Sequence, residues 1–172
     1  MAWTPQKNVV DLTKIVDNLL AYIEQNDDAA LLWANDNAEA LPEFAKLYSN
    51  ASGRLGTIFP SIMVLTQADE GEESEWQGGD VLLTGLQLTF EVTLTGSKAD
   101  ELVLTTKKYE RALKSMLVNC PPATLYADSS IVDAFMKQIG TKFDILRGQK
   151  TANSYLQIFQ TTVLYALVTE RM

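Results

Sequence analysis

The stretch VLLTGLQLTFEVTLTG, residues 81–96, decides the fold. Leu86, Leu88, Phe90, Val92 and Leu94 alternate with Gln87, Thr89, Glu91, Thr93 and Thr95. A period of two is that of a β-strand, whose successive side chains point to opposite faces. One apolar and one polar face predict an antiparallel sheet that is covered on one side only. Gly96-Ser97 stops the strand.

Downstream, the period becomes helical. Ser97 is expected to cap a helix running to about Val118, with Asp100 and Glu101 in the first turn, where the helix dipole favours acids. Leu102, Val103, Thr106, Tyr109, Leu113, Met116 and Leu117 form its apolar stripe, and Lys107, Arg111 and Lys114 a basic stripe on the other side. Pro121-Pro122 ends the unit. Residues 129–139 predict a further helix, from Ile131, Val132, Phe135, Met136 and Ile139, ended by Gly140. Residues 143–146 predict a short strand, 147–150 a turn, and Tyr155–Thr169, rich in Tyr, Phe, Val, Ile and Thr, a second long strand.

Upstream, Ile58–Leu65 predicts a strand that begins at a sheet edge or bulge marked by Pro60. Gln67–Asp80 is an acidic, Gly-containing loop. Helices are expected at 8–25, capped by Asn8, at 28–35, and at 41–49, with Pro42 in the first turn of the last. No linker or repeat divides the chain. The reading is a single α+β domain, residues 1–172, with an N-terminal helical part (1–56) and an α/β core (57–172). Its antiparallel sheet carries helices packed on one face.

Composition narrows the chemistry. The 172 residues include no histidine and one cysteine. That excludes Ser-His-Asp triads, His-ligated zinc sites and an internal disulfide. Cys120, without a histidine partner, reads as an inert buried thiol. Gly53-Arg54-Leu55-Gly56 and Arg147-Gly148-Gln149-Lys150 lack the spacing of a phosphate-binding loop. No apolar run is long enough to span a membrane, and Met1–Pro5 lacks the pattern of a secretion signal, so a cytoplasmic site of assembly is expected. No catalytic residue, cofactor or metal is assigned, and a structural or partner-forming protein is expected rather than an enzyme.

The net charge of −8 is uneven. Residues 1–86 hold 4 basic and 14 acidic side chains; residues 87–172 hold 10 and 8. Asp69, Glu70, Glu72, Glu73 and Glu75, with Trp76 beside them, lack the oxygen spacing of a calcium loop. They read as a solvated loop or a partner contact. The basic stripe reads as a solvated helix face or, with the acidic loop, as two halves of a head-to-tail subunit contact.

The element order resembles that of tail-terminator and related neck proteins of long-tailed bacteriophages. The resemblance rests on the strand near 58–65, the long strand 81–95, the helix Leu102–Leu117 containing Lys107-Lys108-Tyr109-Glu110-Arg111-Ala112-Leu113, and the terminal strand Tyr155–Thr169. It implies a virion structural protein forming a six-membered ring that ends the tail tube and joins it to the head. Its partners would be further copies of itself, the tail tube protein and neck proteins, with DNA passing through but not read. It brings no catalytic residues. Gln87, Thr89, Glu91, Thr93 and Thr95 would then form a ring interface or lumen wall. A head-completion or stopper protein, and a non-viral protein-binding adaptor, stand as alternatives.

Overall fold

The computed structural model describes residues 11–49, 58–68, 74–75, 81–125, 131–144, 146–148 and 154–170. Its spine is a pair of antiparallel strands, β4 (Val81–Gly96) and β7 (Tyr155–Glu170), paired without a register shift from Val81↔Glu170 to Gly96↔Tyr155. At about 3.3 Å per residue each strand runs about 50 Å. Shorter strands flank this ribbon. β2 (Ser61–Ala68) and the two-residue β3 (Ser74–Glu75) share one edge of β4. β5 (Ile131–Phe143) and the two-residue β6 (Arg147–Gly148) share the outer edge of β7. β1 (Lys46–Ser49) pairs with β2, so the main order is β1-β2-β4-β7-β5. Every pairing is antiparallel except β1 with β2.

The alternation in β4 places its residues as its period requires. Leu86, Leu88, Phe90, Val92 and Leu94 are between 0 and 3% exposed. Their partners on β7 and β2 extend the same buried layer through Phe159, Val163, Tyr165, Ile62 and Val64. Two helices pack on this side, giving the expected α+β arrangement. α2 (Ala99–Asn119) lies over β4 and β7, and α1 (Leu12–Ala34) packs on α2. Asp100 and Glu101 occupy the first turn of α2. Its N-cap is Lys98, with no side-chain cap bond, rather than Ser97. Val103 turns outward, and Ala112, fully buried, joins the inner stripe.

Several expectations need correction. The helices read at 8–25 and 28–35 are one helix, α1. Asp11 is its N-cap, its carboxylate accepting from the Thr13 and Lys14 backbone amides; Asn8 lies outside the described residues. The helix stops where Asp36 and Asn37 take φ of 55° and 56°, the left-handed region that Asn and Asp tolerate. The helix read at 41–49 is an irregular segment followed by β1. Its backbone is drawn off by non-local partners: the Phe44 amide donates to the Asp27 carboxylate and the Ala45 amide to the Pro60 carbonyl.

The helix read at 129–139 is the strand β5. Register shifts between Ile131/Asp133 and Met136/Gln138 mark two bulges. Each bulge adds a residue, so the residues facing the helices fall at Ile131, Ala134, Met136 and Ile139. Spacings of three, two and three imitate a helical stripe. Arg147–Gly148, read as a turn, is β6. The strand read at 58–65 is β2, beginning at Ser61, and Gln67, Ala68, Ser74 and Glu75 of the expected loop are in strands. For 143–146, Phe143 ends β5, the Asp144 amide donates to the Ile158 carbonyl, and Ile145 lies outside the described residues.

Among the described residues the core contains one polar defect. Tyr165 is 2% exposed and its hydroxyl has no hydrogen-bond partner among the described residues. Leaving a buried hydroxyl unpaired costs about 1–3 kcal/mol. Tyr165→Phe is therefore expected to leave the urea unfolding midpoint unchanged or raise it. Phe90→Ala, at a fully buried position, should lower stability by about 3–5 kcal/mol in the same measurement.

Candidate functional site

The face of the sheet away from the helices has no described element packed on it. On β7, positions 156, 158, 160, 162 and 164 are part-exposed while 157, 159, 161 and 163 are buried. Register fixes which side chains meet there. Glu91 lies between Met63 and Gln160, and Thr89 between Leu65 and Thr162. The central rungs bond to each other: Gln160 Nε2 donates to Glu91 Oε2 at 2.7 Å, and the Thr89 and Thr162 hydroxyls are 3.1 Å apart. Thr93 is buried between Ser61 and Ile158, Thr95 is exposed, and Gln87 is half-buried opposite Leu164.

This face is less polar than β4 alone suggested. β4 contributes threonines, a Gln and a Glu, but β7 sets Leu156, Ile158 and Leu164 beside them, and β2 sets Met63 and Leu65. Lys142 of β5 lies in the row of Glu91 and Gln160. The result is a polar strip, closed on itself by hydrogen bonds, with apolar residues on either side. A surface of this kind can meet a protein partner through its apolar flanks, provided that the partner leaves Glu91 solvated or supplies it a counter-charge.

The basic residues of α2 are largely spent within the protomer. Arg111 Nη1 lies 3.0 Å from Asp36 Oδ1 and 3.4 Å from the Ala34 carbonyl, and its guanidinium lies 4.2 Å above the Trp33 ring. Lys108 donates to the Asn35 side chain. Both cations sit at the C-terminal end of α1, where free carbonyls favour positive charge. Lys114 pairs with Glu110 at 2.7 Å. Lys107 is exposed. Of the acidic segment, Glu75 is placed in β3 opposite Leu82. Asp69, Glu70, Glu72, Glu73 and Trp76 lie outside the described residues, as does Gly53–Gly56.

Asp27 was not singled out from the sequence, yet it is the least expected side chain in the core. It is 3% exposed, and its Oδ2 accepts the Phe44 amide at 2.9 Å. The Phe44 ring stands edge-on to Tyr109, 5.4 Å away, and the Tyr109 hydroxyl donates to the Pro42 carbonyl. Burial raises the Asp27 pKa, the Phe44 amide opposes that, and nearby Glu43 adds to it. Burial, with the Asp27 charge behind it, also pushes the Tyr109 phenol well up. The signal was present: Ile15, Leu19, Ile23, Asp27 and Leu31 recur every four residues, so Asp27 occupies an apolar position.

Among the described residues no group of three or more His, Cys, Asp or Glu side chains converges to hold a metal ion. Cys120 is partly exposed rather than buried, and its thiol pKa is raised, chiefly by burial, which disfavours the reactive thiolate. A shallow groove of about 410 Å³ between α1 and β1 is lined by Asp17, Leu20, Glu24 and Lys46 among others. A pocket of about 130 Å³ lies among Lys142, Asp144 and residues 158–160. No helix of the described residues is long and apolar enough to cross a membrane. No protein-family model matches the chain, and no curated protein matches it either.

Asp27 makes two tests possible. Asp27→Ala strands the Phe44 amide and should cost about 1–3 kcal/mol. The raised native pKa means that the carboxyl's contribution is full below its unfolded value, 3.8, and is lost as pH rises through the native value. The stability of the wild type relative to Asp27→Asn should therefore fall over the range of pH from below 3.8 up through the native value. Urea melts of both proteins across that range check the sign.

Proposed function

We propose that this protein is a self-assembling structural protein, and in particular a tail terminator of a long-tailed bacteriophage. It would form a homo-oligomeric ring of six subunits that ends the tail tube and joins it to the head or neck. The observation that carries the reading is the one-sided sheet. Two helices cover one face of the β4–β7 ribbon, and the other face presents self-satisfied polar rungs beside Leu156, Ile158 and Leu164. A ring subunit needs a wide, rigid surface that another copy can cover, and a long paired ribbon supplies it.

The chemistry supports a structural role. The net charge of −8 suits a channel through which DNA slides without adhering. The tail tube protein and neck proteins would dock on the two ends of the ring, and assembly would take place in the host cytoplasm. With Arg111 and Lys114 already paired inside the protomer, a purely acidic-to-basic subunit contact has only Lys107 left on that stripe. The apolar part of the sheet face is then the stronger source of ring affinity.

Native mass spectrometry of the full chain should show a six-subunit ring, alone or after addition of tail tubes. Leu164→Glu should abolish the ring while leaving the circular dichroism spectrum unchanged. A chain that stays monomeric with and without tubes would contradict the reading and favour a protein-binding adaptor.

A further inference from the structure

The outer edge of β5 ends the sheet, and nothing among the described residues pairs with it. At 13 residues it is long for a free edge, and such edges are templates for pairing with another chain. Three of the large apolar side chains exposed on the protein lie on this strand: Val132 at 50%, Phe135 at 44% and Phe143 at 45%.

From its sequence and bulge pattern, we infer that β5 pairs antiparallel with β5 of a second copy, about a two-fold axis between Lys137 and Gln138. That register sets Asp133 opposite Lys142, Phe135 opposite Gly140, and Val132 opposite Phe143 of the partner. Opposite charges directly across an antiparallel pair attract, and an aromatic ring can lie over a strand glycine. A Cβ built on Gly140 meets nothing within 4 Å, so that space is open within the protomer.

The bulge at Lys137 is what brings the two halves into phase. Side chains facing each other across a pair must lie on the same face of the sheet. Asp133 and Lys142 differ by an odd number of positions, as do Phe135 and Gly140, so an uninterrupted strand would set each pair on opposite faces. The extra residue between Met136 and Gln138 corrects this. Asp133, Phe135, Gly140 and Lys142 stand opposite Val168, Ala166, Thr162 and Gln160 of β7, all on the face away from the helices. Bulges and lysines commonly block edge pairing. Here the bulge instead makes the strand self-complementary, and the lysine at position 142 meets an aspartate.

The inference does not rest on the tail-terminator reading, since a two-fold pair can form whether or not rings do. Sedimentation equilibrium of the full chain over a micromolar concentration series tests it, with circular dichroism confirming that each variant is folded. The wild type should form a reversible dimer. Asp133→Lys alone and Lys142→Asp alone should each weaken it by about tenfold, because each change acts twice across the axis. The double variant should recover wild-type affinity. Positions 133 and 142 lie about 30 Å apart along their own strand, so recovery can arise only between chains. A wild type that stays monomeric, a double variant no tighter than the singles, or rings and larger assemblies indifferent to all three variants would each overturn the pairing. That last outcome would leave the ring reading standing.

Discussion

Sixteen residues of β4 face sixteen of β7 without a slip, and the other elements take their positions from that ladder. Register in a sheet is all-or-none with respect to faces, because a shift of one residue exchanges the buried and exposed sets. Leu86 through Leu94 on one strand and Phe159 through Tyr165 on the other lie on one face in the observed alignment, and a slip of one residue would separate them. α2 can then lie across a continuous apolar layer. Leu102, at the start of α2, packs within 3.4 Å of where a Cβ on Gly96 would stand, so the turn from β4 into the helix is tight. The flanking strands are short or bulged because they need only cover the edges of a ribbon that is already fixed.

A second constraint ties the helical layer to the far edge of the sheet. Asp27 on α1 holds Phe44, Phe44 packs on Tyr109 of α2, and the Tyr109 hydroxyl holds Pro42. The segment before β1 is therefore anchored to both helices, and the Ala45 amide then bonds to Pro60 just before β2. This explains how a four-residue strand can form at an edge and in the parallel sense. Its position is set by side chains and loops rather than by its own ladder. The buried carboxylate makes that anchor sensitive to pH in a way that an Asn there would not be.

Most of the fold was legible where one periodicity ran unbroken. β4, α2 and the first half of α1 are of this kind, and their inner faces followed from counting by two or by four; β7 was legible as a strand from its composition, but its inner face, which buries Gln157 and Thr161 and leaves Leu156, Ile158 and Leu164 on the other side, was not. The reading failed where a local pattern had two explanations or none. In β5, bulges stretched the strand period until it matched a helix. At 41–49, apolar residues at helical spacing gave way to backbone bonds with Asp27 and Pro60, which are distant in sequence. Gln25-Asn26-Asp27-Asp28 looked like a helix break, but the Asn26 amide bonds to the Tyr22 carbonyl and Asp27 turns inward, so the helix continues. The site was legible only in part. One strand showed the polar rungs of the open face, but its apolar half comes from β7 and β2, whose alignment with β4 no local pattern reveals. The basic stripe looked available, but Arg111 is held at the end of α1 and Lys114 by Glu110 of its own helix.

The β4–β7 ladder should be the most stable part of the molecule, with the helices and edge strands built on it. Native-state hydrogen exchange measures this directly. Backbone amides in the central part of β4 and β7, from Leu86 to Leu94 and from Phe159 to Tyr165, should exchange only by global unfolding, with the same opening free energy as the urea-derived stability. Amides of α1, β1 and β5 should open at lower cost. Slower exchange in α1 and α2 than in the two long strands would show that the helical layer is the foundation instead, and would contradict the account.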